Sequence, residues 1–263
     1  MASIFVTGSS DGIGQETARQ LVRGGHRVIL HARDERRAKD AVAAVPDAAG
    51  VVTGDLSLLA GIRAAASAAN ALGPYDAVIH NAGVGAHQTR RGTADGCEHI
   101  FAVNVLGPYL LTALMPLPPR LIYLTSGLES AGRANLSDLQ WESRPWNGMQ
   151  AYSDSKLYDV MLAFAVARRY PHVRSNAVDP GWIKTKLGGP GATDELPVGA
   201  STQVWLAVSG DELTVSDDEE ATASGRYFKW RNDLRANPEA YDSRLQEMLL
   251  TECAGITNAR LPD

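Results

Sequence analysis

The chain has 263 residues, room for one large domain or two small ones and for a core that needs no disulfide or metal staple. Hydrophobic residues at 44%, charged residues at 21% and a net charge of -5 fit an ordinary globular protein, and with no long basic patch they argue against a nucleic-acid partner. No signal-peptide pattern opens the chain and no run approaches ~18 apolar residues, so no membrane span is expected and the cytoplasm is the expected setting.

Short apolar runs alternate with helix-like stretches. "SIFVT" (3–7) leads through a Gly-rich turn into a helix at about 13–23. "RVILHA" (27–32) follows Gly24-Gly25, and "GVVTGD" (50–55) follows a second helical stretch. The Ala-rich "LLAGIRAAASAANAL" then leads to "DAVIHNAG" (76–83), and a long helix near 95–115 leads to "RLIYLTS" (120–126). Gly107-Pro108 inside that helix predicts a kink just after Asn104. The helix carrying "AYSDSK" (151–156) is followed by "VRSNAVDPG" (173–181), a helix near 200–208, "GRYF" (225–228) and a closing helix near 238–252. Alternation of this kind, with strands apolar on both faces, predicts an α/β fold: a single doubly wound parallel sheet of about seven strands, helices on both sides, in one domain over 1–263. The acidic "DELTVSDDEE" (211–220) reads as a solvated loop rather than a metal site. Cys97 and Cys253 have no metal or redox spacing; free thiols are the simple reading and one disulfide the alternative. No histidine pair has ligand spacing, so His31, His80, His87, His99 and His172 read as structural or surface residues, and no metal is expected.

"TGSSDGIG" (7–14) joins the first strand to the first helix. Gly8, Gly12 and Gly14 permit positive φ and remove the Cβ atoms that would block a pyrophosphate, while the helix start offers free N–H groups. The second strand ends at Ala32-Arg33 where NAD-selective sites usually place a carboxylate; Arg33 offers a donor fork for a 2′-phosphate, with Arg36 and Arg37 nearby. Asp11, inside the loop, opposes a phosphate. NADP(H) is therefore the expected coenzyme and NAD(H) the alternative.

In order along nearly the whole chain, these motifs resemble the short-chain dehydrogenase/reductase family. "TGSSDGIG", with Ser10, Asp11 and Ile13 between its glycines, resembles the coenzyme loop; "GDLS" resembles the adenine contact, here Asp55 and Leu56; "NAG", here Asn81, Ala82 and Gly83, resembles the motif that passes the coenzyme. "AVNVLGPY" resembles the helix bearing an active-site Asn, here Asn104, and "YLTSG" the strand end bearing a catalytic Ser, here Ser126. "YSDSK" resembles the catalytic pair, Tyr152 and Lys156, and "DPGWIKT" the cover of the nicotinamide, here Pro180, Gly181 and Thr185. Ser126 and Tyr152 lie 26 residues apart, about twice the usual interval, and the inserted "LSDLQWESRPWNGMQ" resembles the retinol-dehydrogenase-like and WW-domain-oxidoreductase-like branch. An insertion there could displace Ser126.

The resemblance implies interconversion of a carbonyl and an alcohol on a small or medium, partly apolar substrate, with a homodimer or homotetramer as the expected assembly. In a helix Lys156 falls on the same face as Tyr152 and places a positive charge near the phenol, which favours proton transfer from it. Ser126 would donate to the substrate oxygen, and Asn104 would anchor a water leading to Lys156. Trp182, after Pro180-Gly181, is the tryptophan expected nearest substrate; Trp141 and Trp146 are expected to pack. The alternative is a non-catalytic NADP(H)-binding regulator of the same fold, which typically lacks the Tyr or the Lys; an extended sugar-nucleotide epimerase would be longer and differently spaced in its glycines. Residues 182–200 form the expected substrate loop, with a mobile lid at 183–200.

Overall fold

The computed structural model describes residues 1–209 and 223–262; the acidic stretch at 211–220 lies outside them. Eight strands form one sheet in the order β3-β2-β1-β4-β5-β6-β7-β8. They are β1 (Ser3–Val6), β2 (Arg27–Ala32), β3 (Gly50–Thr53), β4 (Ala77–His80), β5 (Arg120–Leu124), β6 (Arg174–Asp179), β7 (Tyr227–Lys229) and β8 (Asn232–Leu234). All neighbours run parallel except β7 and β8, an antiparallel hairpin at the edge. The outer strand of that hairpin, β8, is one beyond the seven or so expected. Asn232, Asp233 and Leu234 are exposed, so β8 has no apolar pattern by which to be read.

The central strands are apolar on both faces because both faces are covered. Ile4 and Val6 of β1 pack with Leu30, Ile79, Ile122, Leu21, Trp205 and Phe228 on one side, while Phe5 between them packs with Ile29, Val78, Leu121 and Tyr123 on the other. Helices α1 (Gly12–Arg23) and α7 (Leu196–Val208) lie on the first side. Helices α3 (Leu59–Leu72), α5 (Gly107–Leu114), α6 (Gly148–Arg169) and α8 (Ser243–Thr257) lie on the second, and α2 (Glu35–Ala44) follows β2. Among the described residues no helix is long and apolar enough to cross a membrane.

Three elements depart from expectation in ways that bear on the site. Before α5 the chain forms a short turn of helix, α4 (His99–Phe101), and then a π-helical segment, Ala102–Leu106, in which the Gly107 N–H donates to the Ala102 carbonyl five residues back. Pro108 withholds the N–H that an α-helix would give to the Asn104 carbonyl, so the irregularity is centred on Asn104 rather than following it. Helix α7 begins at Leu196, with Pro197 in its first turn, so residues 196–200 belong to a helix and not to the loop expected over 183–200. The closing helix starts at Ser243, capped by Asp242 and preceded by a 3₁₀ turn, Pro238–Tyr241.

The insertion between Ser126 and Tyr152 is built, not slack. Two 3₁₀ turns, Gly127–Ala131 and Leu136–Asp138, lead to Trp141, which is buried edge-on against Trp146. The Arg144 guanidinium lies 3.5 Å from the Trp141 ring centre and pairs with Asp138 and, on α6, Asp154. Asn237 fastens the insertion from the far end of the chain. Its Nδ2 donates to the carbonyls of Glu129 (3.2 Å) and Gly132 (3.0 Å), and its backbone N–H donates to the Glu129 carboxylate (3.0 Å). Both residues are buried, so truncating Asn237 removes several buried hydrogen bonds at once, although the Glu129 carbonyl keeps the Gly132 N–H and the Gly132 carbonyl keeps the Arg133 guanidinium. Asn237→Ala is expected to lower unfolding free energy by about 1–3 kcal/mol, read from urea unfolding at neutral pH.

Candidate active site

One cavity of about 1370 Å³ opens over the C-terminal ends of the strands, where the chain order switches between β1 and β4. It gathers every candidate site residue except Asn104: the glycine loop, Arg33, Asp55 and Leu56, Asn81 to Gly83, Ser126, Tyr152, Lys156, Pro180, Gly181 and Thr185.

The glycine loop is shaped by close approach. Gly8 has φ 62°, and a Cβ there would sit 2.8 Å from the Ala82 Cα. A Cβ on Gly14 would meet the Asn81 amide nitrogen at 2.3 Å and the Gly8 carbonyl at 2.5 Å. Asn81 is the strut of this contact: its Nδ2 donates to the carbonyls of Thr7 and Gly8, and its backbone N–H donates to the Thr7 hydroxyl. Asp11 caps α1 by accepting from the Gly12 N–H, and its carboxylate also pairs with Lys186 (2.5 Å) and Arg37 (3.7 Å). The Lys186 hydrogen bond holds the Asp11 carboxyl below its ordinary value against the opposing effect of partial burial. Thr185 beside Gly12, and Lys186 on Asp11, bring the 183–195 segment onto the loop. Arg33 lines the cavity and pairs with Asp34, both side chains largely exposed.

At the other end, Lys156 is buried beneath Tyr152, with its Nζ 5.9 Å from the ring centre. That ammonium donates to the Leu124 carbonyl (2.9 Å) and to the Asp159 carboxylate (2.7 Å). Burial disfavours the ammonium, but Asp159 and then Tyr152 outweigh it, and Lys156 titrates above its ordinary value. Asn104, fully buried, stands behind this group. Its Oδ1 accepts from the Val84 N–H and its Nδ2 donates to the Val84 carbonyl and the Ser155 hydroxyl. Gly83 lies beside both groups: a Cβ built on it would be 3.4 Å from the Asn104 Oδ1 and 3.6 Å from the Lys156 Nζ, ordinary contact distances. Ser126 keeps its place at the end of β5 despite the insertion, lining the cavity and capping the following turn through the Leu128 N–H.

The short chain dehydrogenase family model matches residues 2–195. The chain belongs to that family. It is 40% identical over 266 residues to the short-chain dehydrogenase chyC of Penicillium rubens, covering all of both chains. It is 33% identical over 289 residues to human retinol dehydrogenase 13, covering 99% of this chain and 86% of that one. Among solved structures it resembles an uncharacterised protein of Mycobacterium paratuberculosis, with TM-score 0.84 and 26% identity over 100% of this chain and 96% of the other. This short-chain dehydrogenase is accordingly an oxidoreductase acting on CH–OH and C=O groups, in its retinol-dehydrogenase-like branch.

Several residues in or behind the dehydrogenase's cavity have roles that the sequence reading did not assign. Asp159, three residues after Lys156, sits on the same face of an otherwise apolar helical run, and that spacing was its only signal. The imidazoles of His87 and His99 meet at 3.0 Å on the cavity wall, twelve residues apart, and Asp179 pairs there with Lys229 (3.0 Å), fifty residues on. Among the described residues no cluster of three or more His, Cys, Asp or Glu could hold a metal, and both cysteines are free and buried. Trp182 lines the cavity half-exposed, whereas Trp141 is buried by packing.

His31, read from the sequence as structural or surface, is buried and structural, and its partners give it a specific role. Its Nδ1 accepts from the Gly8 N–H (3.0 Å) and its Nε2 meets the Gly54 carbonyl (3.0 Å), which fixes a neutral tautomer propping the glycine loop. Burial lowers its titration from 6.5 to about 4, and burial of His80 in the core lowers that histidine to about 3. Both are neutral when folded, while the unfolded chain takes up protons near 6.5, so their contribution is complete above that pH and is lost as pH falls. Unfolding free energy is expected to drop by about 1.4 kcal/mol per pH unit for each histidine between roughly pH 6 and pH 4.5. Denaturant titrations across that range check this, and His31→Gln should remove one histidine's share of the slope.

Proposed function

We propose that this short-chain dehydrogenase is an NADP(H)-dependent enzyme that interconverts a carbonyl and an alcohol on a small or medium, partly apolar molecule, with Tyr152 as proton donor and acceptor. The observation that carries the reading is that Tyr152, Lys156 and Ser126 line the same cavity as a glycine loop whose missing Cβ atoms leave a cradle. A nicotinamide coenzyme fits that cradle: Gly8, Ser10, Gly12, Ile13 and Gly14 with the start of α1 would hold its diphosphate, Asp55 and Leu56 its adenine, and Asn81 to Gly83, Pro180, Gly181 and Thr185 the remainder. Bound there, the coenzyme supplies or accepts the hydride. In reduction the carbonyl carbon gains that hydride, and the oxygen takes the proton of the Tyr152 hydroxyl, leaving a phenolate. Lys156 holds a positive charge beside that phenolate, and Ser126 donates to the developing alkoxide. Asn104 fixes Val84 and Ser155 around Lys156 and so positions the ammonium. Leu128, Met149, Trp182 and Leu187 line the cavity and are largely exposed, which suits an apolar substrate body.

Tyr152→Phe removes only the acidic hydroxyl. Turnover on a panel of ketones and aldehydes is expected to fall by about a hundredfold or more, with coenzyme affinity within about threefold of wild type by calorimetry. Turnover within about threefold of wild type would falsify the assignment of Tyr152.

Coenzyme choice is read from the tip of β2. Ala32 offers no carboxylate to a free 2′-hydroxyl, while Arg33 and Arg37 line the cavity. Of the nearby carboxylates, Asp11 is already matched by Lys186 and Arg37, and Asp34 by Arg33 itself. A charge-assisted hydrogen bond from Arg33 to the 2′-phosphate, about 1.5–3 kcal/mol, corresponds to roughly tenfold to a hundredfold preference for NADP(H). The ratio of kcat/KM for the two coenzymes should show that preference and lose most of it in Arg33→Ala; an unchanged ratio in the variant means Arg33 points away from the phosphate.

A further inference from the structure

Among the described residues, five Lys and Arg side chains line the cavity. Arg33, Arg37 and Lys186 stand at the glycine-loop end, on Asp34 and Asp11, and Lys156 is buried beneath Tyr152. Lys229 is the fifth. It ends β7, four strands along the sheet from β1, so at about 4.8 Å per strand it lies out of reach of the loop that would hold a diphosphate. Its Nζ pairs with the Asp179 Oδ2 at 3.0 Å. A Cβ built on Gly127 would lie 3.1 Å from that same oxygen, which puts the pair alongside the Ser126-Gly127 corner. The two ends of the pair are not presented equally. The Asp179 side chain is 4% exposed, and its other oxygen accepts from the Gly181 N–H (2.9 Å). The Lys229 side chain is 32% exposed, and among the described residues Asp179 is the one carboxylate paired with it, which leaves donors of the ammonium for the cavity.

We infer that Lys229 anchors an anionic group of the substrate, which is a carbonyl or alcohol compound bearing a carboxylate on an apolar body. The carbonyl in that statement rests on the proposed reaction; the seat for the anion rests on the geometry around Lys229. A buried carboxylate behind a half-open ammonium has two effects. It holds the lysine in one place, so less freedom is lost when a ligand arrives. It also weakens the attraction, because an incoming anion meets a cation that is already paired. Asp179 is turned inward and held by Gly181, so an anion in the cavity comes closer to the nitrogen than to the carboxylate. The charge-assisted hydrogen bond therefore outweighs the more distant repulsion, with a gain near the low end for such bonds, about tenfold. One ammonium with no second cation beside it suits a carboxylate; a phosphate dianion calls for more donors. No rival charge faces this end. Burial lowers the titration of His87 and His99, and the Glu129 carboxylate behind Asp179 accepts from the Asn237 N–H. Leu128 and Trp182, next in the chain to Gly127 and Gly181, supply exposed apolar wall for the rest of the molecule.

The probes are aryl keto acids with progressively more methylenes between carbonyl and carboxylate, each beside its methyl ester. Their binding to the protein loaded with NADP⁺ is measured by calorimetry, where no hydride is available and no turnover occurs. The best-bound acid is expected to bind about tenfold more tightly than its ester at low ionic strength, and the ratio should shrink as salt is added. In Lys229→Met the ratio should fall to about one or below, while Lys229→Arg, which keeps the charge, should retain most of it. Whether Asp179 then stays ionised or takes up a proton, no cation is left for the acid, so the direction is the same. No acid preference anywhere in the series, or one that survives Lys229→Met, overturns the inference. So does an equal loss of NADP⁺ affinity in Lys229→Met, which assigns the lysine to the coenzyme. A preference lost in Lys229→Met, in a protein that reduces none of these carbonyls with NADPH or NADH, overturns the proposed reaction instead and leaves the anion seat standing. Should Lys229→Met not fold, Lys229→Met combined with Asp179→Asn removes the cation and its partner together and is read in the same way.

Discussion

The site depends on a single positive charge kept away from water. Lys156 lies under the floor of the cavity, where an unmatched ammonium would tend to shed its proton. Everything nearby answers that requirement. The Leu124 carbonyl at the end of β5 and the Asp159 carboxylate hold the ammonium from two sides, and the π-helical segment brings Asn104 against the same wall, bonded to Val84 of the loop after β4. These groups come from one strand end, two helical segments and a loop, so the sheet must be closed before the charge has a place to sit.

The same reasoning explains which features were legible in the sequence. The alternation of apolar strands and helices reported the doubly wound sheet because burial on both faces leaves no polar positions in Ile4, Phe5 and Val6 or in Ala77, Val78 and Ile79. The glycine loop was legible because close approach and positive φ leave glycine as the residue that fits at Gly8 and Gly14. Tyr152 and Lys156 were legible by spacing on a helix and by their order among the other motifs.

What remained hidden depended on tertiary contact. His31 lies in a run that reads as plain strand, and its role appears only when Gly8 and Gly54 are brought to either side of the ring. His87 and His99 come together through a loop with no periodic signal, and Lys229 reaches Asp179 from a strand fifty residues further on. Strand β8 was missed because an exposed edge hairpin has no apolar pattern. Helix α7 was begun too late because its first turn contains Pro197 and Gly199, which read as loop although proline suits a helix start. The Pro108 effect was foreseen as a kink, but a proline can be accommodated by a wider turn, and the turn formed around Asn104.

Helix α6 carries Tyr152 and Lys156 and is covered along most of its length by the insertion, by α8 and by the sheet. Mechanically it behaves as an axle set in bearings, whereas the outer cavity walls, the Leu128 to Met149 side and the Trp182 to Leu187 side, are carried on irregular chain anchored at its ends. Selectivity in such a design can be rewritten by grafting those walls, leaving the axle untouched, and a graft succeeds only if it brings its own fastening to Asn237 on one side and to Asp11 on the other.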